Sequence, residues 1–196
     1  MPLTMCAQLK ALGYSAYAYH NHDYGYYDRD LSHPNLGYVY KAVGNGLEIT
    51  ESWPESDLEM IDVTTGEYMN EEPFHAYYMT VSGHLEYNFQ GNAMAAKNQA
   101  LVEDAPYSEH VRAYLACQIE LDRALLPILA ETMAPYSNAE IVPGDVTRLD
   151  LKALIGEKFA GLRPIVCANL PYNITTPVLT ALVDIPAIES ITVLIQ

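Results

Sequence analysis

Two imidazoles and a guanidinium lie within ten residues of one another near the start of the chain, at His20, His22 and Arg29. Arginine can bind two oxygens of a phosphate ester at once, and neutral imidazoles can donate further hydrogen bonds. Residues 13–20 alternate small and aromatic side chains, which predicts a strand that leads into this group. Because open α/β sheets bind ligands at the carboxyl ends of their strands, the pattern favours an oxyanion site.

Two other interpretations of these residues stay open. A polar surface loop with one structurally satisfied histidine would have the same spacing. His20 and His22 could also ligate a metal together, although two ligands without a fixed third make a weak site. A further imidazole, His84, ends a second predicted strand at 74–82 and could converge on the same place.

A second chemical group, Asn169-Leu170-Pro171-Tyr172, directly follows the apolar run 165–168. That run predicts a buried strand, so this group also falls at the carboxyl end of a strand. An asparagine oxygen and a backbone carbonyl can accept the hydrogens of an exocyclic amine, and an aromatic ring can stack on an extruded base. An ordinary turn contains the same residue types, so spacing alone leaves both interpretations open.

The front part of the chain is predicted to contain a strand, an ordered loop, a hairpin, a helix, a second strand and a long helix. The loop assignment rests on polar and aromatic residues without a period, and the hairpin on Gly44-Asn45-Gly46. Ser56 and Ser108 are the predicted caps of the two helices. In chain order, the predicted ranges are 13–20, 21–34, 38–50, 56–70, 74–82 and about 107–134.

After the long helix, short strands alternate with helices. The predicted order is a strand at 140–142, a turn at 143–145, a helix at 151–159, a strand at 164–168, a helix at 176–183 and a strand at 191–196. This alternation predicts a parallel, doubly wound sheet. The predicted fold class is therefore α/β, with a mostly parallel sheet and flanking helices, built as two incomplete fragments joined through the long helix.

Composition divides the chain near residue 125. Fourteen of the sixteen tyrosines and all six histidines precede residue 126. Residues 1–125 carry 6 Lys+Arg against 18 Asp+Glu, a net charge of −12, and residues 126–196 carry 4 against 7, a net of −3, which together give the −15 of the whole chain. Neither part has the basic patch that binding to nucleic-acid phosphates needs.

The sequence also bears on compartment. No apolar run reaches the roughly 18 residues of a membrane span. The first residues lack the basic and apolar segments of a signal peptide, so we expect a cytoplasmic location. The cysteines are widely spaced and predict buried free thiols at Cys6, Cys117 and Cys167.

Five blocks of the front part resemble the extracellular domain of lipoteichoic acid synthases, within the alkaline phosphatase and sulfatase superfamily. The resemblance covers residues 1–125 almost continuously. Its blocks are AYAYHNHDYGYYDRD at 16–30, HPNLGY at 33–38, WPESDLEMI at 53–61, EEPFHAYYMTVSGHLEYNF at 71–89 and PYSEHVRAYLACQIELDRAL at 106–125.

This resemblance implies a transferase that moves glycerol phosphate from phosphatidylglycerol through a phosphorylated threonine, with a divalent metal, usually manganese. By position, His20, Arg29 and His84 resemble the residues that hold the glycerol phosphate headgroup, and Tyr27 falls where some members have a tryptophan. The family's threonine, metal ligands and transmembrane helices have no counterpart in this sequence. The resemblance therefore implies a substrate clamp without nucleophile or manganese ligands.

Residues 118–196 resemble bacterial 16S ribosomal RNA adenine N6-dimethyltransferases, which use S-adenosylmethionine on a Rossmann-like sheet. The matching blocks are ELDRALLPILAETMAPYSNAEIVPGDVTRLDL at 120–151, RPIVCANLPYNITTPVLTALV at 163–183 and ESITVLIQ at 189–196. By this resemblance Glu120 would bind the cofactor ribose and Asp145 the cofactor adenine. Asn169 would lie at the cofactor and position the target N6, Tyr172 would stack on the target base, and Leu170 and Pro171 would complete the catalytic motif.

Two features of that second family have no counterpart here. Its glycine-rich first loop, about one βα unit before Glu120, is replaced by the helix of the front part, and its rRNA-binding C-terminal helices are missing. The two resemblances overlap at residues 120–125. We therefore predict two domains, 1–124 and 125–196, in a chimeric chain.

Three functions are compatible with the sequence: a phosphoglycerol transferase piece that binds a glycerol phosphate headgroup, a 16S rRNA adenine dimethyltransferase piece, and a chimera with neither activity. We expect the third. Manganese-dependent cleavage of a glycerol phosphate ester that is lost in His84→Ala would identify the first function. Binding of S-adenosylmethionine that is lost in Asp145→Ala would identify the second, and we expect neither assay to exceed background.

Overall fold

The structure, a computed structural model, describes residues 4–71, 73–84, 86–170 and 174–194. Contacts between Cα atoms divide the chain into two compact units, Met1–Ile141 and Val142–Gln196, here called the front unit and the rear unit. Each unit has a parallel sheet with helices, so the predicted α/β class with a mostly parallel sheet is confirmed. In the described part of the chain, no helix is both long and apolar enough to cross a bilayer.

The front unit is built around a parallel sheet with the strand order β3-β2-β1-β4. Its strands are β1 Ser15–Asp23, β2 Val39–Val43, β3 Gly46–Leu47 and β4 Phe74–Met79. Its α-helices are α1 Met5–Ala11, α2 Arg29–Leu36, α3 Asp57–Thr64, α4 Ala93–Asn98 and α5 Glu109–Met133. Short 3₁₀ turns occupy Tyr26–Asp28, Thr65–Glu67 and Gln99–Leu101.

Strand β1 is the centre of the front unit because it pairs with both β2 and β4. Residues 18–21 are all buried, so both faces of the strand are covered there. On one face Tyr19 packs against Tyr68 and Tyr78, with ring centroids 6.1 and 5.1 Å away. Aromatic side chains pack well on a pleated sheet, which explains why this tyrosine-rich sequence forms strands.

The predicted loop at 21–34 is wrong in part. Strand β1 continues to Asp23, and α2 begins at Arg29. None of the residues of α2 is buried, so its sequence has no apolar stripe for a periodicity argument to detect. The helix ends because Gly37, with φ at 104°, takes the left-handed conformation of a C-terminal cap.

The predicted hairpin at 38–50 is also corrected. β2 and β3 pair in parallel, with Ala42 opposite Gly46. Gly44 and Gly46 have φ of 86° and 76°, a region that glycine enters easily. Two backbone hydrogen bonds between Ala42 and Asn45 close the loop, and the chain leaves it in its original direction.

The predicted long helix is confirmed as α5. Ser108 caps it by accepting a hydrogen bond from the backbone N–H of Val111. Its buried face packs on α4 and α3. The apolar cluster at the α4 contact contains Met94, Ala95, Val102, Ala113, Ala116 and Cys117. Because small side chains predominate, the helices approach closely.

The rear unit contains helix α6 Leu151–Lys158, strand β5 Ile165–Asn169, helix α7 Thr175–Val183 and strand β6 Ser190–Leu194. β5 and β6 pair in parallel. Their core is a small cluster centred on Ile155, Val178, Leu182 and Ile185. The predicted alternation of helix and strand from residue 151 onwards is thus confirmed over the described residues, and residues 195 and 196 of the last predicted strand lie outside them.

Two predictions for the rear part are wrong. Residues 140–142 form no strand, since they pair with no described strand. Cys167 is exposed on β5, whereas Cys6 and Cys117 are buried as expected. A strand in a two-stranded sheet has few neighbours to cover its outer face, and this explains the exposed thiol.

Candidate functional site

The front candidate site begins at His20, on the buried part of β1. Its Nδ1 lies 3.0 Å from the carbonyl oxygen of Met79. A carbonyl only accepts hydrogen bonds, so Nδ1 carries the proton and Nε2 is left with a lone pair. The Nη1 group of Arg29 donates to that Nε2 over 2.6 Å. Burial lowers the pKa of His20 to about 4, against the opposing effect of the Met79 hydrogen bond, so its imidazole is neutral at pH 7.

Arg29 lies at the first residue of α2, and its guanidinium is held from two directions. Besides the bond to His20, it stacks near the rings of Tyr26 and Tyr27, at 5.6 and 5.7 Å from their centroids. Tyr27 has φ at 55° and its side chain is largely exposed. A guanidinium carries five N–H donors, and the bond to His20 uses one of them, so Arg29 has further donors with which to bind an anion.

A second imidazole, His22, lies two residues further along β1. Its Nδ1 is 2.7 Å from Oε1 of the buried residue Glu55. Its ring contacts Tyr26 and Trp53, with centroids 4.9 and 5.3 Å away. Trp53 in turn contacts the ring of His84 at 5.4 Å. The rings of Tyr26, His22, Trp53 and His84 therefore contact one another in series, and the Arg29 guanidinium lies at the Tyr26 end of the series.

The structure brings together all four residues predicted for the phosphoglycerol side: His20, Tyr27, Arg29 and His84. We call them, together with Tyr26, His22, Trp53 and Glu55, the front cluster. Sequence reasoning missed Trp53 and Glu55, although a tryptophan and a carboxylate directly before a capped helix are a detectable signal. Within the described residues, no three histidine, cysteine or acidic side chains are placed to hold a metal ion.

The buried carboxylate of Asp57 connects the segments that carry the front cluster. Asp57, the first residue of α3, is fully buried and accepts hydrogen bonds from Asn21 Nδ2 and from the backbone N–H groups of Val81 and Ser82. The Ser82 hydroxyl donates to its other oxygen. These bonds join the end of β1 to the segment after β4, and so they hold His20 and His84 at the same sheet edge.

The predicted ribose ligand, Glu120, lies on the buried face of α5 in the front unit. Lys97 Nζ and Asn98 Nδ2 donate to its oxygens over 2.7 and 3.1 Å, and the Ser56 hydroxyl also donates to it. Burial raises the pKa of Glu120, but these hydrogen bonds outweigh that effect and bring the pKa below its ordinary value. The carboxylate is ionised and fully enclosed by the front unit, which does not fit a ribose contact.

The predicted adenine ligand, Asp145, lies at the start of the rear unit and is exposed. Thr147 donates to Oδ1 through its hydroxyl and its backbone N–H, over 2.7 and 2.9 Å. These hydrogen bonds, first that of the hydroxyl, lower the pKa of Asp145, with a smaller contribution from Arg148. The carboxylate is thus charged and accessible, which fits a contact to an adenine amine. The neighbouring Val146 lines a cavity of about 280 Å³ beside α6 and α7.

The predicted catalytic motif begins where β5 ends, at Asn169. This places its first residue at the carboxyl end of a parallel strand, and the half-buried Leu170 follows. Pro171 and Tyr172, together with the side chain of Asn169, lie outside the described residues.

Comparison with known proteins finds relatives of the rear part of the chain. Residues 104–196 match the ribosomal RNA adenine dimethylase family. The rear part is thus similar to rRNA methyltransferases. The chain is 44% identical over 87 residues to ribosomal RNA small subunit methyltransferase A of Alkaliphilus oremlandii, a match that covers 43% of the chain and 30% of that protein.

Two further relatives carry the same name. The protein of Ligilactobacillus salivarius is 50% identical over 74 residues, covering 37% of the chain and 25% of the relative. That of Lactiplantibacillus plantarum is 38% identical over 118 residues, covering 56% and 40%. The chain thus spans between a quarter and two fifths of the length of these relatives.

These comparisons give no support to the resemblance of residues 1–125 to lipoteichoic acid synthases. No solved structure matches the chain. None of the matches reported above supports a lipoteichoic acid synthase origin for residues 1–125, which stays a prediction along with the chimeric join. The matched stretch does include α5, which packs in the front unit.

Proposed function

We propose that the rear part carries the target-adenine end of an S-adenosylmethionine-dependent 16S rRNA adenine dimethyltransferase. The observation that carries this proposal is the match of residues 104–196 to the rRNA adenine dimethylases, with Asn169 at the end of a parallel strand. In this role the Asn169 oxygen and the Leu170 carbonyl accept the hydrogens of the target N6, and the Tyr172 ring stacks on the extruded base.

The two carboxylates considered as cofactor contacts, Asp145 and Glu120, differ in their exposure. Asp145 is exposed and charged, so it can accept from the amine of the cofactor adenine. Glu120 already accepts from Lys97, Asn98 and Ser56 and has no surface for a ribose. S-adenosylmethionine, when bound, supplies the methyl group. We therefore expect weak cofactor binding and methyl transfer to 16S rRNA at background level.

Calorimetric titration of S-adenosylmethionine into the full chain tests this proposal. Binding should disappear in Asp145→Asn, which removes the charge and keeps the shape. It should persist in Glu157→Gln, a control at another exposed carboxylate of the rear unit. A folded chain that binds no cofactor would contradict the proposed cofactor contact and favour a chimera with neither activity.

A second candidate function is binding of a glycerol phosphate headgroup by the front cluster. The observation that favours it is that four side chains lie together at one sheet edge, those of Arg29, His22, Trp53 and His84. A guanidinium provides the charge that a phosphate needs, and the aromatic rings cover the glycerol carbons. The manganese of the resembling family has no proposed ligands in this cluster.

Glycerophosphoglycerol, the headgroup diester without acyl chains, is the ligand that tests the second candidate. We expect binding that Arg29→Gln abolishes and that Arg148→Gln, a charge-matched control in the rear unit, leaves unchanged. Loss of binding in both variants would indicate a general effect of net charge rather than a site.

A further inference from the structure

His20, the imidazole predicted to bind an oxyanion, has no free ring nitrogen. Its Nδ1–H donates to the Met79 carbonyl and its Nε2 accepts from Arg29 Nη1, over 3.0 and 2.6 Å. The residue is 1% exposed. A ligand can reach neither nitrogen without breaking one of these bonds. His20 is therefore a positioning residue that orients the guanidinium of Arg29.

His22 differs from His20 on each of these points. Its Nδ1 is held by Oε1 of Glu55 at 2.7 Å, whereas its Nε2 makes no hydrogen bond to any residue that the structure describes. Its side chain is 24% exposed. The ring is held between Tyr26 and Trp53. An imidazole that is fixed at one nitrogen and open at the other is suited to contact a ligand.

His22 and Arg29 both lie beside Tyr26. Tyr26 has its ring 4.9 Å from the His22 ring and 5.6 Å from the Arg29 guanidinium. The His22 and His20 rings are 6.1 Å apart, and His20 bonds Arg29 directly. A phosphate group with its several oxygens can therefore contact both side chains.

The Glu55 carboxylate that holds His22 has one oxygen, Oε2, with no hydrogen-bond partner among the described residues. Buried acceptors are nearly always paired, and a hydroxyl group of a polyol phosphate is a donor of the kind that this oxygen needs.

We infer that His22, oriented by Glu55, is the imidazole that contacts a polyol phosphodiester at the front cluster, through an Nε2–H bond to a phosphate oxygen beside Arg29. This inference rests on the second candidate function proposed above. It assigns ligand contact to His22 and a positioning role to His20. It also makes binding dependent on pH, because a ring that donates to Glu55 through Nδ1 and to a phosphate oxygen through Nε2 has to be the doubly protonated imidazolium.

The other charged groups around His22 do not produce the same pH dependence. Arg29 stays charged, and His20 stays neutral because its pKa is lowered to about 4. A hydrogen bond with Tyr27 raises the pKa of Tyr26, so this phenol stays protonated. Glu55 bonds the Nδ1 of the His22 ring, not the Nε2 that would contact the ligand. His84, across Trp53, is the other imidazole that needs a control variant.

Calorimetry with glycerophosphoglycerol at pH 5.5 and 8.5 tests the inference, since this diester keeps one negative charge throughout. We expect the unsubstituted chain to bind about tenfold more tightly at pH 5.5, the effect of one charge-assisted hydrogen bond. His22→Gln should bind equally at both pH values. His20→Gln should bind more weakly at both values but keep the tenfold ratio, and His84→Gln should keep it too.

Imidazole NMR of the unsubstituted protein gives a second readout that needs no buried substitution. His20 should remain the Nδ1–H tautomer and His22 Nε2 should shift on addition of the diester. If the pH ratio persists in His22→Gln and vanishes in His20→Gln or His84→Gln, the assignment is overturned while the headgroup site stands. If the folded protein binds no diester at either pH, both the assignment and the headgroup site fail.

Discussion

The front unit and the rear unit hold their folds together by different means. The front unit buries ionised and polar side chains, and each is surrounded by several hydrogen-bond partners, as at Asp57 and Glu120. The rear unit relies on one small apolar cluster between two helices and a two-stranded sheet. It leaves large apolar residues exposed, among them Ile165 at 68% and Val183 at 70%. The front unit therefore combines apolar clusters with buried, hydrogen-bonded polar side chains, whereas the rear unit depends on burial in its apolar cluster.

Helix α5 is where this difference matters most. By sequence similarity it falls inside the stretch that matches the rRNA adenine dimethylases. By contact it belongs to the front unit, because α3 and α4 pack against it. Its most buried ionisable side chain, Glu120, is neutralised by Lys97 of α4. Helix α5 is thus similar in sequence to the same family as the rear part, although it packs in the front unit.

The largest effect is expected for Asp57→Ala. The substitution leaves the backbone N–H groups of Val81 and Ser82 buried without an acceptor, so the front unit should lose about 3–5 kcal/mol of unfolding free energy. Hydrogen exchange resolved by residue should show lost protection in β1 and β4 and unchanged protection in β5. Equal loss in both units would show that they unfold as one, which would contradict the comparison.

Leu182→Ala tests the rear unit in the same way. Leu182 is 6% exposed in a cluster with only a few other buried residues, so its truncation should cost about 2–4 kcal/mol. Exchange should accelerate at β5 and β6 while β1 stays protected. Thr180→Ala, an exposed substitution on the same helix, is the matched control.

A smaller effect, dependent on pH, is expected at Glu120. Its folded pKa lies below the ordinary value of 4.5, so it adds stability above that pH and loses it as the pH falls through the folded pKa. Glu120→Gln should cost the front unit about 1–3 kcal/mol at pH 7 and much less at pH 3. Chemical denaturation at the two pH values measures this, and an equal cost at both would rule out a role for the charge.

The smallest effect concerns thiol reactivity rather than stability. Cys167 is exposed, while burial raises the pKa of Cys6 and of Cys117. A maleimide should therefore label Cys167 rapidly in the native protein and the other two only when the front unit opens. Rapid labelling of Cys117 in the Leu182→Ala variant would mean that the rear unit supports the front one.

Local patterns in the sequence were enough for elements that are defined by a cap and an apolar face. α5 follows Ser108 and α3 follows Ser56, and both serines accept the predicted cap hydrogen bond. The group around His20 and Arg29 was recognisable because charged and aromatic residues are concentrated after one strand. α2 escaped prediction because none of its side chains is buried, and β3 because glycine torsions rather than strand propensity set its direction.

The sequence by itself determined the α/β class, the helix starts, the residue types of both candidate sites and the similarity of the rear part to rRNA methyltransferases. Only the tertiary structure decided which nitrogen of His20 carries the proton, that Glu55 holds His22, and that Glu120 is enclosed by Lys97 and Asn98. The reason is physical. Caps and apolar periods act over a few neighbouring residues, whereas the state of a titratable side chain depends on partners more than twenty residues away.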